Sequence, residues 1–518
     1  MKPLLLKSLV CALVGLAVAA PASAGSFGVT DDGGKFSASP AAAENFYSRT
    51  AALGLKENTV TVPFDPANPT GIAHADMIQQ ALEAAARHDV KIVFEIGTGK
   101  ARTITGSPFG AAQYLAYLRT LVTRFPTVTD YIIGNEGNVW RFWQPQYDSR
   151  CRPIAGAVYE RLLAASYDVL KGANPQIQVI GVGLSPRGND DCHARSNIST
   201  SPVHYLANMG AWYRSSGRTK PIMDALSFHP YPQSNTDSLA VGYRYPNAGV
   251  VNLDRIKQAF WDAFHGTGQP TFLEGFQPPI PPLGPTSLPP AFAPEHVTFV
   301  LDEVGWQAKV PGQAAAAYRG RENVRLISES RQAQIYGQLV HVANCDPSIQ
   351  SLNYFHLDDE ADRDRFQSGL FRADLSMRPS AAVVRAAIAS DDGQCSGREA
   401  LWRHADGVIG ARTRFAFGRG GIAFTARAEE EAIYSAGVFN TEAMPPRDEL
   451  LLGGDTAGWG PAGELTASGS LQPYRPMAFR VGGPLAPGTY QYAIRITARF
   501  NPDRSSLFVS QPFSVHRA

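Results

Sequence analysis

Eight short apolar runs, each followed by a stretch of helical periodicity, constrain the fold of this chain more than any other feature of its sequence. The runs have the length and composition of buried strands, and they are SFGVT (26–30), TVTVPF (59–64), KIVFEIG (91–97), DYIIGNE (130–136), IQVIGVGL (177–184), MDALSFH (223–229), VTFVLDE (297–303) and SLNYFHL (351–357). The stretches between them carry apolar residues at i, i+3 and i+4, as in Ala75–His88, Ala111–Phe125, Val158–Gly172 and Arg331–Ala343. Because a parallel strand buried on both faces is almost continuously apolar, this alternation predicts an α/β fold, a (β/α)8 TIM barrel.

A doubly wound open sheet is the alternative for such an alternation. The turn after its first strand usually carries G-x-G-x-x-G, whereas GVTDDGGKF stands at that place here. This favours the barrel.

The pattern changes after about residue 395. Runs such as RTRFAFGRGGIAFTARA and GTYQYAIRITARF alternate apolar and polar residues between Gly, Pro and Asn turns, which predicts a small antiparallel β-sandwich. The predicted domains are therefore a barrel over 25–395 and a sandwich over 396–518. The Pro-rich segment 266–296 is too long for an ordinary connection and is predicted to form a lid or wall of a site.

The first 24 residues have the pattern of a secretory signal peptide, with Lys2 and Lys7, an apolar run and Ala22-Ser23-Ala24. Cleavage after Ala24 would remove Cys11 and leave an even number of cysteines, which predicts a secreted or periplasmic protein with two disulfides and three possible connectivities. No later run is long enough to cross a membrane. The net charge of +1 gives no basic surface for nucleic acid, so the expected partner is neutral and the chain is expected to be a monomer.

Acidic residues end several of the predicted strands. Glu95 lies in the third, Glu136 ends the fourth, and Asp302 and Glu303 end the seventh. Strands four and seven lie on opposite sides of an eight-stranded barrel, so their acids would face each other above its centre, as glycoside hydrolysis requires. Glu274, after another apolar run, is a rival.

The motifs IIGNEGN and FVLDEVGW together resemble those of the clan A glycoside hydrolases, retaining TIM-barrel enzymes such as families 5 and 39. The resemblance covers roughly residues 26–390. It implies Glu136 as acid/base, Glu303 as nucleophile, and Asn135 as a donor to the sugar 2-hydroxyl. From SFHPYP it implies that Tyr231 holds the nucleophile ionised and that His229 lines the sugar subsite. Gly137 departs from the family, in which Pro usually follows the acid/base.

Adjacent residues of a strand point to opposite faces, so only one of the two acids of strand seven should face the barrel centre. The resemblance selects Glu303, and Asp302 is expected to pair with the surrounding helices. Aromatic rings stack on the apolar faces of sugars, which makes four further residues candidates for substrate binding: Trp140, Trp143, Trp306 and Tyr354.

The predicted fold also suggests the cysteine pairing. Cys151 and Cys192 follow neighbouring strands on the rim, whereas Cys345 precedes strand eight and Cys395 follows the last helix. These positions favour Cys151–Cys192 and Cys345–Cys395. The sequence contains neither CxxC nor HExxH, so no metal site is expected.

The expected function is that of a secreted retaining glycoside hydrolase that acts on a poly- or oligosaccharide and needs no cofactor, because two carboxylates carry the reaction. The alternative is a non-catalytic glycan-binding or cell-envelope interaction protein on a barrel scaffold. A second alternative is an adhesion or interaction protein in which the β-domain is the functional domain.

Overall fold

The structure is a computed structural model. It describes residues 25–239, 241–243, 246–273 and 296–390, followed by the C-terminal stretches 411–418, 421–428, 432–440, 463–472, 477–481, 486–498, 501–510 and 513–515. The signal peptide, Glu274, Cys395, the boundary at 395 and most of the Pro-rich segment 266–296 lie outside the described residues. The predictions made for them stay predictions.

Eight parallel strands close into a barrel in which each strand pairs with the next along the chain and β8 pairs with β1. The strands are β1 (Ser26–Thr30), β2 (Glu57–Pro63), β3 (Lys91–Gly97), β4 (Asp130–Ile133), β5 (Gln178–Leu184), β6 (Ala225–Phe228), β7 (Thr298–Val304) and β8 (Ile349–Tyr354). Closure confirms the (β/α)8 TIM barrel and excludes the open sheet.

Helices follow the strands and cover the outside of the barrel. They are α1 (Pro40–Ala52), α2 (Ala75–Arg87), α3 (Gly110–Arg124), α4 (Ala155–Ala173), α5 (Pro202–Ser216), α6 (Leu253–Phe264), α7 (Glu329–Asn344) and α8 (Pro379–Ser390). The start of α1 shows two features typical of helix N-termini. Pro40 lies in the first turn, and the Ser39 side chain accepts a hydrogen bond from the backbone of Ala42.

The barrel interior is packed with side chains and is not a pore. One apolar layer is formed by a single residue from each of five strands: Val93, Ile132, Ile180, Ala225 and Val300. Because strand side chains alternate between faces, residues two positions further along point inward nearer the C-terminal rim. Three of those positions hold polar side chains, Glu95, Ser227 and Asp302, and a site can form there.

The C-terminal part contains two antiparallel sheets. A three-stranded sheet has the order β13-β10-β9, and a larger one has the order β12-β11-β14-β15 with β16 paired to β14. The strands are β9 (Ala411–Gly418), β10 (Gly421–Ala428), β11 (Ala432–Asn440), β12 (Gly463–Leu471), β13 (Met477–Val481), β14 (Gly488–Ala498), β15 (Asn501–Val509) and β16 (Phe513–Val515). Ala426 and Ala428 of one sheet share a core with Ile494 and Ile496 of the other, as a sandwich requires.

The structure contains the predicted disulfide between Cys151 and Cys192, which links the loops after β4 and β5 with a Cα–Cα distance of 5.6 Å. Cys345 is also disulfide-bonded, but its predicted partner lies outside the described residues. Within the described part of the chain, none of the helices has the length and apolarity needed to cross a membrane.

Candidate active site

Glu136 lies at the C-terminal rim of the barrel in an unusual backbone conformation. The chain leaves β4 through Gly134, and Glu136 then has a φ of 40°, a left-handed conformation that costs a non-glycine residue about 1–3 kcal/mol. Its backbone N–H donates to the carbonyl of Gly183 at 2.7 Å, which fixes the turn against the end of β5. The turn therefore holds the carboxylate on the rim despite the strain.

Glu303 reaches the same rim because β7 carries a bulge. Leu301 pairs with Leu352 and Val304 pairs with Tyr354, so β7 uses one residue more than β8 over this stretch. A bulge of this kind redirects a side chain that strict alternation would place on the other face.

Asp302 corrects a prediction, because its side chain points into the barrel and not towards the helices. It is fully buried. Its Oδ1 accepts a hydrogen bond from Ser227 at 2.5 Å, and its Oδ2 lies 3.4 Å from Nε2 of His229. Both partners belong to β6 or follow it directly. The alternation of side chains along β7 explains why the Asp302 side chain points inward. The bulge then allows the Glu303 side chain to reach the barrel centre as well.

His229 lies between the acids and contacts both members of the proposed pair. Its Nδ1 is 3.3 Å from Oε1 of Glu136 and 3.6 Å from Oε2 of Glu303. Burial alone would lower the pKa of His229, but Glu303, Asp302 and Glu136 raise it well above its ordinary value. The imidazolium form is therefore favoured, and it places one positive charge among three carboxylates.

The shared histidine nitrogen also limits the separation of the two carboxylates. Both oxygens contact the same atom, so they can be no farther apart than the two distances combined, which is about 7 Å. Retaining glycosidases separate their carboxyl groups by about 5–5.5 Å and inverting ones by about 6.5–9.5 Å. The limit applies to these two oxygens, and the carboxyl carbons can lie farther apart, so the contact with His229 is compatible with both ranges.

Tyr231 makes the contact that the sequence predicts. Its hydroxyl donates to Oε2 of Glu303 at 2.9 Å. Burial raises the pKa of Glu303 to about 7, while His229 and the Tyr231 hydroxyl act in the opposite direction. Glu303 therefore changes its charge near neutral pH.

Glu95 is a further acid beneath this group. Its side chain points inward from β3, and burial, together with the charges of Glu303 and Asp302, raises its pKa well above the ordinary value. A neutral carboxylic acid in this place adds no fourth negative charge to the rim.

Asn135 lies directly before Glu136 and has a buried side-chain oxygen. That Oδ1 has no hydrogen-bond partner among the residues that the structure describes. Unpaired buried acceptors are uncommon in folded proteins. The amide is therefore available to a ligand hydroxyl.

Three of the predicted substrate-binding aromatic residues are buried, which corrects those predictions. Trp143 packs edge-on against Tyr159, Trp306 donates its indole N–H to the carbonyl of Asp237, and Tyr354 is fully enclosed. Their rings fill space behind the rim loops, as large apolar side chains usually do. None of the three has a ring face open to solvent.

Three other aromatic residues are candidates for sugar contact. Trp140 is partly exposed and stays a candidate. Phe355, which the end of strand eight offers for sugar contact together with Tyr354, and Phe366, which the sequence does not single out, pack against Tyr231 with ring centroids 6.0 Å and 6.1 Å away. Phe366 follows no strand directly, so no positional signal pointed to it.

The one group of potential metal ligands found among the described residues is Cys151, Cys192 and His193. Its two sulfurs are joined in the disulfide, so neither is a free thiolate that could ligate a metal ion.

Gly137 gives a test of how closely this rim is packed. A Cβ at this position would lie 2.5 Å from the hydroxyl of Tyr205, which has no hydrogen-bond partner among the described residues. We expect Gly137→Ala to destabilise the fold by about 1–3 kcal/mol through overpacking. A lower midpoint of thermal unfolding would show this. Tyr205→Phe removes the obstructing oxygen and should restore the midpoint in the double variant; no recovery would contradict the contact.

Comparisons with known proteins find only remote similarity. No family model matches it, and no curated protein matches its sequence. A family 39 glycoside hydrolase from Bacteroides cellulosilyticus WH2 shares 12% identity over 88% of this chain and 80% of its own, with a TM-score of 0.46. GH5_18 from Streptomyces cattleya, solved with GlcNAc, shares 15% over 71% and 80%, with a TM-score of 0.44. GH5_18 from Bifidobacterium longum shares 15% over 74% and 82%, with a TM-score of 0.42. All three likenesses are remote, and the strand order establishes the barrel independently.

Proposed function

We propose that this protein is a retaining glycoside hydrolase that uses Glu136 as acid/base and Glu303 as nucleophile. The observation that carries the proposal is the pair of rim carboxylates on β4 and β7, both in contact with one nitrogen of His229. Two carboxyl groups on one rim, both within reach of the same histidine nitrogen, can act on opposite sides of one glycosidic bond. Both are partly accessible, with side-chain exposures of 18% for Glu136 and 12% for Glu303.

In the first step a carboxylate oxygen of Glu303 forms a bond to the anomeric carbon of the sugar. The bond from that carbon to the glycosidic oxygen breaks, and the leaving oxygen takes a proton from Glu136. Asn135 supports this step with its unpartnered amide, which can hydrogen-bond to a sugar hydroxyl. Such contacts strengthen as the ring acquires oxocarbenium character.

In the second step water attacks the anomeric carbon from the side that the leaving group vacated. Glu136, now ionised, takes a proton from this water, and the bond between the sugar and Glu303 breaks. Two displacements at one carbon return its original configuration. The same residue thus acts first as acid and then as base.

The charge state of Glu303 gives a prediction of pH dependence. A nucleophile must be ionised, and the pKa of Glu303 is raised to about 7. We expect kcat/KM for an aryl glycoside to fall as the pH drops below about 7. The Tyr231 hydroxyl lowers this pKa, so Tyr231→Phe should move the acidic limb to higher pH. The pH profiles of wild type and variant measure the shift.

The same profiles can refute the assignment of roles. If Glu303 were the proton donor, activity would require its neutral form and would fall above pH 7, with Tyr231→Phe extending activity to higher pH. Tyr213→Phe is a matched control, because that phenol, in the last turn of α5, donates to the carbonyl of Lys220 and to neither carboxylate. It should leave the profile of wild type unchanged.

We also propose that the protein is exported and acts on a carbohydrate. The Cys151–Cys192 disulfide supports an oxidising compartment. A screen of aryl glycosides and of plant, fungal and bacterial polysaccharides tests the activity, and NMR of the first product identifies its anomeric configuration. Release of sugar with inverted configuration, or no release from any substrate, would contradict the proposal.

A further inference from the structure

A polar cavity of about 160 Å³ lies between the loops that follow β5 and β6. Most of the side chains that line it can form hydrogen bonds, and they include Arg187, Asn189, Asn197, Gln233, Tyr243 and Asn247. Among the described residues, the lining contains one cation and no carboxylate. The function proposed above does not use these residues.

The cavity is joined to the turn that carries Glu136. Asn138, two residues after Glu136, accepts a hydrogen bond from the backbone of Ser185 at 2.9 Å and donates to the carbonyl of the same residue at 3.2 Å. Ser185 is two residues before Arg187. Tyr243, in the cavity wall, is within electrostatic reach of Arg187, of Asp237 and of Glu136. The cavity therefore lies on the side of the acid/base.

That side is where the leaving part of a substrate must lie. An acid can protonate the glycosidic oxygen only from within hydrogen-bond reach of it. The unit beyond that oxygen therefore extends past Glu136, towards the loops that hold the cavity. A second sugar unit could enter it there.

Arg187 has an exposed side chain that makes no hydrogen bond or ion pair to any described residue. The side-chain NH2 groups of Asn197, Gln233 and Asn247 likewise donate no hydrogen bond within the described part of the chain. These residues line the cavity and carry donors that are available to a ligand, and a guanidinium is suited to planar anions such as a carboxylate.

The charges of the two neighbouring places differ in sign. The cleft holds Glu136, Glu303 and Asp302 around His229, whereas the described residues that line the cavity include Arg187 and no acid, the nearest named acid being Asp237, which acts on Tyr243. An anionic group on a substrate would be repelled by the cleft and attracted by the cavity.

We propose that the cavity at Arg187 is a subsite for an anionic sugar, bearing a carboxylate or a sulfate ester, on the leaving-group side of the scissile bond. This rests on the proposed function for its orientation, but the cavity binds its ligand without any reaction. The guanidinium pairs with the anion, and the neighbouring amides donate to hydroxyls.

Affinity electrophoresis tests the subsite independently of catalysis. The gels contain polygalacturonate or hyaluronan, each compared with its carboxyl-reduced form, and dextran sulfate compared with dextran. We expect retardation of the wild type in at least one acidic gel and not in its neutral counterpart. The polymer that retards it identifies carboxylate or sulfate as the ligand group. Arg187→Gln should weaken this binding roughly tenfold or more, as loss of a charged hydrogen bond predicts.

Arg119→Gln is the matched control, because it changes the net charge equally from an exposed position on the outer helix α3. It should be retarded like wild type. Equal retardation of Arg187→Gln and wild type in every acidic gel, or no retardation of wild type in any, would overturn the proposal. Aryl glycoside hydrolysis by wild type and Arg119→Gln reports separately on the proposed function, so failure of one is distinguishable from failure of the other.

Discussion

Replacing Glu303 with alanine should lower the rate of glycoside hydrolysis by a factor on the order of 10⁴ or more, as loss of a nucleophile does in other enzymes. The alanine leaves a space beside the Tyr231 hydroxyl, which donates to this carboxylate in the native site. Azide or formate can occupy that space and attack the anomeric carbon from the same face. Only one displacement then takes place, so the glycosyl azide should have the inverted configuration. NMR of the product measures this outcome.

Glu303→Gln is the control for this experiment. The amide fills the same volume, so it should be inactive and should not be rescued by azide. Thermal unfolding of both variants shows whether they are folded. Near-normal hydrolysis by Glu303→Ala would remove Glu303 from the mechanism, and rescue with retained configuration would give it the role of the acid/base.

The sequence was sufficient for the barrel and for the location of the two acids, and the reason is geometric. Parallel strands in a closed barrel all end on one rim, so a residue at the end of a strand can be placed without knowing any contact. Glu136 and Glu303 could be found in this way. His229 and Tyr231 could also be placed, because they follow β6 directly.

The sequence did not predict which faces the side chains of β7 would use. Strict alternation separates Asp302 from Glu303, and the resemblance then assigned the inner face to Glu303 alone. The bulge between Leu301 and Val304 allows both acids to reach the centre. Ser227, two residues before His229, was a usable signal, since inward alternation places it on the same face, where it donates to Asp302.

The sequence also did not predict which of the aromatic residues would be buried. Trp140 and Trp143 lie three residues apart in one loop, and nothing in their identity tells which ring faces outward. The structure buries Trp143 against Tyr159 and leaves Trp140 partly exposed. This outcome depends on packing between a loop and helices α4 and α5, which only the folded chain specifies.

Replacing Glu136 with alanine should slow the reaction in a way that depends on the leaving group. General acid catalysis typically contributes about 10²–10⁴-fold, so glycosides of poorly acidic alcohols should lose the most activity. An aryl glycoside with an acidic phenol needs little protonation, and it should still form the intermediate on Glu303. The comparison of the two substrate types, by single-turnover and steady-state kinetics, measures the effect.

Azide separates the role of Glu136 from that of Glu303, because it acts at a different step in each variant. In Glu136→Ala no base activates water, so the intermediate on Glu303 accumulates and azide attacks it from the face that the leaving group vacated. Two displacements have then taken place, and the glycosyl azide should have the retained configuration, opposite to the product of Glu303→Ala. Inverted product from Glu136→Ala would show that the two roles are exchanged. Alanine keeps the backbone N–H that donates to Gly183, so an equal loss of single-turnover activity on both substrate types would show that Glu136 does not donate the proton.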